Sequence, residues 1–252
     1  ASAALASLPA LMPLRAQDRP PVRILVGFPP GGSADVVARA IGDAMRDDLG
    51  AVIVDNKPGA AGRLAIGLLK AARPDGQTVI IVPSPPMVLF PHLFKKLDYD
   101  PVRDFTPISL VATFPQLVLV HPAIKAETLP ELIQLATTAS PPLTYASGGN
   151  GSSQHLAGAL FAHMAGLKMT HVAYKGGNPA QLDLMAGNVN MMITQPNSKD
   201  LVTTGKMRAL AVSSEKRSSY YPDLPTVAEA GVPGYQSVAW YGLLGPKGMS
   251  PE

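Results

Sequence analysis

The residues best suited to chemistry are the amides, glycines and hydroxyls of Gly27-Phe28-Pro29-Pro30-Gly31-Gly32-Ser33-Ala34-Asp35. An apolar run (Val22, Ile24, Leu25, Val26) precedes them. An amphipathic one (Val36, Val37, Ala40, Ile41, Ala44, Met45) follows, so the pattern predicts strand, turn and helix. A Gly-rich turn that opens a helix leaves backbone N–H groups pointing outward at the positive end of the helix dipole, where they can hold an anion. An ordinary strand-to-helix turn has the same pattern, so this turn alone does not decide. The order recurs at Ser147-Gly148-Gly149-Asn150-Gly151-Ser152-Ser153, and Lys175-Gly176-Gly177-Asn178 precedes another helical stretch.

Acyl transfer is the rival chemistry. Ser33 with Asp35, or Ser152 and Ser153 with His155, could be fragments of a triad. However, no Gly-x-Ser-x-Gly elbow exists, and His155 falls in the first helical turn beside its own serines, a poor base–nucleophile geometry. The expected role of His155 is to orient the loop before it. His92, His121, His163 and His171 show no metal-ligand spacing and read as structural or exposed. Gly149-Asn150-Gly151 lacks the third glycine of a dinucleotide fingerprint. Met185, Met191 and Met192 read as core; Trp240 and Tyr241 read as packing in preference to cleft wall. No catalytic residue, metal site or cofactor is expected.

The elements that must carry these loops alternate. Strands are expected at residues 52–54, 78–82, 143–146, 172–174, 189–193 and 208–212, with helices at 61–72, 154–164 and 179–186. Thr128-Leu129-Pro130-Glu131 is a capping box with Pro in the first turn and starts a helix to about residue 138. Such alternation predicts α/β sheets covered by helices. Residues 107–119 carry two apolar runs broken by Pro115, and the chain is expected to cross between two lobes at 100–113 and to return at 235–244. A cleft between the lobes, at the carboxyl ends of the strands, would then gather the loops.

With 252 residues and 46% hydrophobic content, the chain can build one large or two small domains. A net charge of +3 without any Lys/Arg cluster gives no nucleic-acid footprint. The absence of cysteine removes disulfide scaffolds, thiolate zinc sites and thiol nucleophiles, and suits an oxidising compartment. Residues 1–16, rich in Ala and Leu, resemble the apolar region of a secretory signal without its basic start. Met249-Ser250-Pro251-Glu252 follows the return crossing with no closing helix, which reads as a truncated C-terminus.

Further motifs carry a family resemblance: Asp55-Asn56-Lys57-Pro58-Gly59-Ala60-Ala61-Gly62, Pro74-Asp75-Gly76-Gln77-Thr78, Leu97-Asp98-Tyr99-Asp100-Pro101 and Tyr174-Lys175-Gly176. With them go Gly205-Lys206-Met207-Arg208-Ala209-Leu210-Ala211-Val212-Ser213 and Leu224-Pro225-Thr226-Val227-Ala228-Glu229-Ala230-Gly231. Together with the strand–Phe-Pro-Pro-Gly-Gly-Ser-x-Asp stretch and residues 145–157, they resemble the Bug/TctC receptors. These are the periplasmic solute-binding proteins of tripartite tricarboxylate transporters. The resemblance covers most of residues 20–252.

It implies a two-lobed Venus-flytrap fold, with lobe 1 at residues 17–103 and 235–252 and lobe 2 at 104–234. It implies a receptor in the periplasm of a Gram-negative bacterium. The receptor captures a small carboxylate (a di- or tricarboxylate, an aromatic acid or an acidic amino acid) and delivers it to integral-membrane transporter subunits. A periplasmic sensor that feeds a signalling partner is the alternative. The ligand-binding set it implies is Phe28, Pro30, Gly31, Gly32, Ser33 and Asp35 on the first loop, and Gly59, Gly62 and Arg63 on the second. Ser84 follows the third strand. Ser147, Gly149, Asn150, Gly151, Ser153, His155, Tyr174, Lys175, Gly176, Thr194 and Gln195 come from the second lobe. Two departures stand out: members often have Asp where this chain has Thr194-Gln195, and many have a small or amide residue where Arg63 stands. Arg63 either pairs with a ligand carboxylate or guards the cleft entrance, or else is a solvated side chain on the first turn of its helix; the sequence leaves both readings open.

Overall fold

The computed structural model describes residues 20–195 and 199–250. The expected signal remnant at residues 1–16 lies outside them, as do Pro251 and Glu252 at the chain's end.

The chain runs β1 (Val22–Val26), α1 (Ser33–Ala44), α2 (Arg46–Leu49), β2 (Val52–Asn56), a 3-10 turn (Ala60–Gly62), α3 (Arg63–Lys70), β3 (Thr78–Pro83), α4 (Ser84–Val88), α5 (Phe90–Leu93) and β4 (Phe105–Pro115). It continues through β5 (Leu117–Val120), α6 (Leu129–Thr138), β6 (Thr144–Ser147), α7 (Ser153–Met164), β7 (Thr170–Ala173), α8 (Gly177–Met185), β8 (Met191–Thr194), α9 (Lys199–Thr203), β9 (Arg208–Val212) and β10 (Val238–Pro246). Two five-stranded sheets result, ordered β2-β1-β3-β10-β4 and β7-β6-β8-β5-β9. In each, the first three strands are parallel. The fourth, β10 or β5, runs against both of its neighbours. Each sheet is the heart of one lobe.

Both faces of each sheet are covered, which is why the central strands read as unbroken apolar runs. Along β1, Ile24 and Val26 pack with Ala34 and Ala38 of α1, while Leu25 points the other way into Ala65, Ile66 and Leu69 of α3. The second lobe repeats this. Val118, Val120, Met191 and Ile193 meet Leu132 of α6 and Phe161 of α7, and Leu117, Leu119 and Met192 meet Ala180 and Leu184 of α8. Met191 and Met192 are core, as their sequence context suggests. Small residues set the helix distance: a β-carbon at Gly42 of α1 would lie 3.2 Å from Val52 Cγ1.

One boundary differs from expectation. Residues 105–115, read as the start of the second lobe, form β4, the edge strand of the first sheet. Prolines 107 and 115 disguised it as a connection. An edge strand tolerates proline because one of its sides needs no ladder donor. The pairing also slips twice, between Tyr241 and Gly242 and between Leu243 and Leu244. The step to the second sheet therefore falls at Gln116. There the two crossing strands are knotted together. Ser213 Oγ accepts from the Gln116 amide at 2.7 Å and donates to Ser237 O, while Ser237 Oγ donates to Gln116 Oε1 at 3.1 Å.

Candidate functional site

A cleft with about 660 Å³ of space, some of it open to solvent, separates the lobes. Three helices of nine residues or more point their N-termini at it. The first turn of α1 supplies Ser33 and Ala34, that of α7 supplies Ser153 and Gln154, and that of α8 supplies Gly177, Asn178 and Pro179. Gly32 and Gly176, the residues that precede α1 and α8, have no side chain to cap the first turn. The orphan amides of those turns thus face the cleft, with the positive ends of the dipoles behind them.

The first turn is held from behind. Asp35 is buried and accepts from the Gly31 amide, from Nε and Nη2 of Arg39, and from Asn56 Nδ2, each at 2.9 Å. Burial opposes its charge, but Arg39, the Gly31 amide and Asn56 hold the carboxyl below its ordinary range. Gly31 has φ +78°, a conformation that glycine adopts without strain. The second loop backs the first: a β-carbon at Gly27 would lie 2.6 Å from Gly62 Cα.

The facing wall is organised by Gln154. Its Oε1 accepts from the Gly148 amide at 2.7 Å, and its Nε2 donates to Thr194 Oγ1 at 2.8 Å and Gln195 Oε1 at 3.1 Å. Thr194 in turn donates to Gln195 Oε1 at 3.0 Å. Deeper in the lobe, His155 and His171 stack at 4.0 Å between centroids, with Tyr145 4.9 Å from His171. His155 Nδ1 accepts from the Gly151 amide at 3.1 Å, and Ser147 Oγ lies 2.7 Å from His171 Nε2. Burial, and then the neighbouring His155, lower His171 to about 4; burial also lowers His155.

The lobes touch across the cleft. A β-carbon on Gly31 would lie 3.2 Å from Asn178 Nδ2, one on Gly176 3.4 Å from the Pro29 ring, and one on Gly151 2.9 Å from Phe90.

Of the residues singled out from sequence, Phe28, Pro30, Gly32, Ser33, Ser153, Gly176, Thr194 and Gln195 line the cleft. Gly31, Asp35, Ser147, Gly149, Gly151 and His155 stand outside the lining and brace its loops. Gly62 packs behind Phe28 and the first loop, and Gly59, whose carbonyl accepts from the Gly62 amide, faces Leu64, outside the lining. Arg63 turns away from the cleft: its guanidinium sits 4.3 Å over the Phe94 ring and Nε donates to Ala60 O at 3.0 Å. Ser84 is buried at the start of α4. Tyr174 donates to Asp183 Oδ2 at 2.6 Å, and Asn150 and Lys175 are exposed outside the lining.

Sequence reasoning left out Gln154, whose role depends on three segments meeting, and Pro83, Pro179 and Gln181, which also line the cleft. Tyr241, read as packing, both packs 5.4 Å from Phe114 and lines the cleft. Its phenol is pushed up to about 12 by burial, against a hydrogen bond with Ser33. His171, read as structural or exposed, is half-buried in the histidine stack, as is His155.

Among the described residues no cluster of three His, Cys, Asp or Glu could hold a metal, and no helix is long and apolar enough to cross a membrane.

Two sheet-centred lobes with helix N-termini converging on the cleft between them define a two-lobed solute-binding protein. Residues 37–252 match the tripartite tricarboxylate transporter family receptor, TctC. The chain belongs to this family of receptors, which are not enzymes, so the hydrolase reading falls. It is 38% identical over 231 residues to a protein of the tcbD–tcbE intergenic region of Pseudomonas sp. strain P51, covering 90% of this chain and 68% of that one. It is 33% identical over 235 residues to BugT of Bordetella pertussis, with 92% and 72% covered. An R. palustris protein solved with adipate superposes with a TM-score of 0.86 at 34% identity, over 92% of this chain and 78% of that one. MatC of Rhodopseudomonas palustris, with bound malate, gives 0.84 at 33% identity, over 91% and 79%. A TctC solute-binding protein from Polaromonas without ligand gives 0.65 at 30% identity, over 92% and 79%.

Proposed function

We propose that this receptor works in the periplasm of a Gram-negative bacterium. There it captures a small carboxylated metabolite by closing its lobes, then hands it to the membrane subunits of a tripartite transporter. The observation that carries the reading is the convergence of three helix N-termini, one from the first lobe and two from the second, on a single cleft. A carboxylate there gains charge-assisted hydrogen bonds from backbone amides and from hydroxyls such as Ser33 and Ser153. Donors on both lobes must reach one small molecule, so closure completes the site. In keeping with this, the fold superposes better on the adipate- and malate-bound proteins than on the ligand-free one, at similar coverage.

The site residues proposed for contact are Ser33, Ala34, Ser153, Gly177 and Asn178. Titration calorimetry against mono-, di- and tricarboxylates and aromatic acids tests the reading. At least one acid should bind, and saturation with it should shrink the radius of gyration in solution scattering. Gly176 has φ +120° and abuts Pro29, so Gly176→Val should weaken that binding by more than tenfold while the protein stays folded. No binding by any acid, or full affinity in the folded variant, sinks the proposal.

A further inference from the structure

We infer that Gln195 donates a hydrogen bond from Nε2 to a ligand oxygen, and that Gln154 fixes this polarity. The inference rests on the carboxylate reading above and names a contact within that site. Gln195 is only 7% exposed and lines the cleft, so the little it shows to solvent faces the cleft. The two ends of its amide have different surroundings. Oε1 accepts from Gln154 Nε2 at 3.1 Å and from Thr194 Oγ1 at 3.0 Å. Among the described residues no acceptor takes Nε2, and Nε2 is not cut off from solvent. In the open cleft water serves such a donor. Closure around a ligand removes that water, and a donor left unpaired in a buried site is costly, so Nε2 then needs an oxygen from the ligand.

The two ends of a glutamine amide have nearly the same shape, and the surrounding hydrogen bonds decide which is which. Here the decision starts at the backbone. The Gly148 N–H can only donate, and it meets the Gln154 amide at 2.7 Å, so the atom it meets is Oε1. The other end of Gln154 is therefore Nε2, and the Gln195 atom it faces must be an acceptor. Thr194 Oγ1 accepts from Gln154 Nε2 at 2.8 Å and gives its own proton to the same Gln195 atom. Turning the Gln195 amide over would set two NH2 groups 3.1 Å apart. The frame is rigid, because Thr194 ends β8 in register with Leu117 and Gln154 lies in the first turn of α7. The hydroxyls of Ser33 and Ser153, in the same cleft, can turn to give or to accept. Gln195 can only give. The ligand atom beside it is thus a carboxylate, carbonyl or hydroxyl oxygen, and a carboxylate gains most, since charge-assisted bonds are the stronger ones.

Succinate, malate, adipate, citrate and phenylacetate serve as probes. The Gln195 side-chain amide signal in a proton–nitrogen correlation spectrum is assigned by its loss in Gln195→Glu and in Gln195→Met, so either variant that folds suffices. With any probe that binds the unmodified protein, saturation should shift this signal. Gln195→Glu keeps an oxygen for Gln154 and Thr194, so it should unfold in urea as the parent does. It should nevertheless bind the same probe about tenfold more weakly or worse, because an anion replaces the donor. Gln154→Glu tests the polarity. Its carboxylate still accepts from Gly148 but turns the Gln195 amide over, with Nε2 inward, so the Gln195 signal should stop responding to the probe. An unmoved Gln195 signal in the parent, parental affinity in folded Gln195→Glu, or a response that persists in Gln154→Glu overturns the inference and leaves the carboxylate reading standing. Binding of none of the probes overturns both.

Discussion

Removing the Gln154 amide strands the Gly148 N–H and takes a partner from both Thr194 and Gln195. Unsatisfied buried polar groups cost about 1–3 kcal/mol, so Gln154→Leu should lower stability by that amount in urea unfolding and weaken acid binding. Arg63 should behave differently. It lies over Phe94 and braces the loop at Ala60 O. An exposed cation–π contact is worth roughly 0.5–1 kcal/mol, so Arg63→Ala should lose about that much stability and keep ligand affinity within twofold. A tenfold loss of affinity would restore Arg63 to the site. His171 supplies a pH dependence. Its ordinary value of 6.5 falls to about 4 in the folded protein, through burial and then His155. Below 6.5 the unfolded chain therefore binds a proton that the native one refuses, and stability falls as pH drops from about 6.5 towards 4. His171→Asn should flatten the difference between pH 7 and pH 5 in chemical denaturation. At this scale the loops were legible, because glycine and serine announce donor-rich turns. Which of their residues face the ligand was not. Asp35 and Arg39 form a visible i,i+4 pair, but Asn56, which completes the knot and turns Asp35 into a brace, arrives from another strand.

Elements depended on similar distant contacts. Period and capping placed α6 and α7 within a residue or so, because Thr128 and Ser152 cap locally, on Glu131 N and His155 N. The short helices α4 and α5 went unread: Pro85, Pro86 and Pro91 resemble breaks until the first helical turn is recognised as the place where proline fits. For α7 the decisive contact is Gly158, where a β-carbon would lie 2.5 Å from the Tyr145 ring. That ring is buried and stacked near His171, so it has little room to yield. Gly158→Ala should destabilise by about 1–3 kcal/mol through overpacking, despite the better helix propensity of alanine. A rise in melting temperature would mean that the ring does move aside.

Across the whole molecule, motion must pass through the strands that join the lobes. Gln116, Ser213 and Ser237 tie these strands with one buried and two partly buried hydrogen bonds. Ser213→Ala leaves the Gln116 amide and the Ser237 carbonyl unpartnered. The variant should unfold about 1–3 kcal/mol more easily, and its radius of gyration without ligand should differ from that of the parent. Unchanged scattering in a destabilised variant would limit the knot to a role in stability. Two lobes were legible from the repeated strand–loop–helix order. The seam between them was not, because sheet membership of β4 is fixed by β10, which lies more than a hundred residues away in the chain.

That distant pairing also imposes an order of assembly. β3 and β4 never touch each other in register; β10 lies between them, and Thr106 Oγ1 reaches Pro246 O across 140 residues of sequence. The five strands of the second sheet, by contrast, all fall between Leu117 and Val212. As the chain emerges from a ribosome or a translocation pore, N-terminus first, the second lobe has every strand it needs while the first still has a slot down its middle. Pairing across so long a loop is slow. Pulse-labelled hydrogen exchange during refolding should therefore protect the amides of β5, β6 and β8 before those of β3 and β4. The half-built first sheet, with two open edges, is then the species that a chaperone would have to shield.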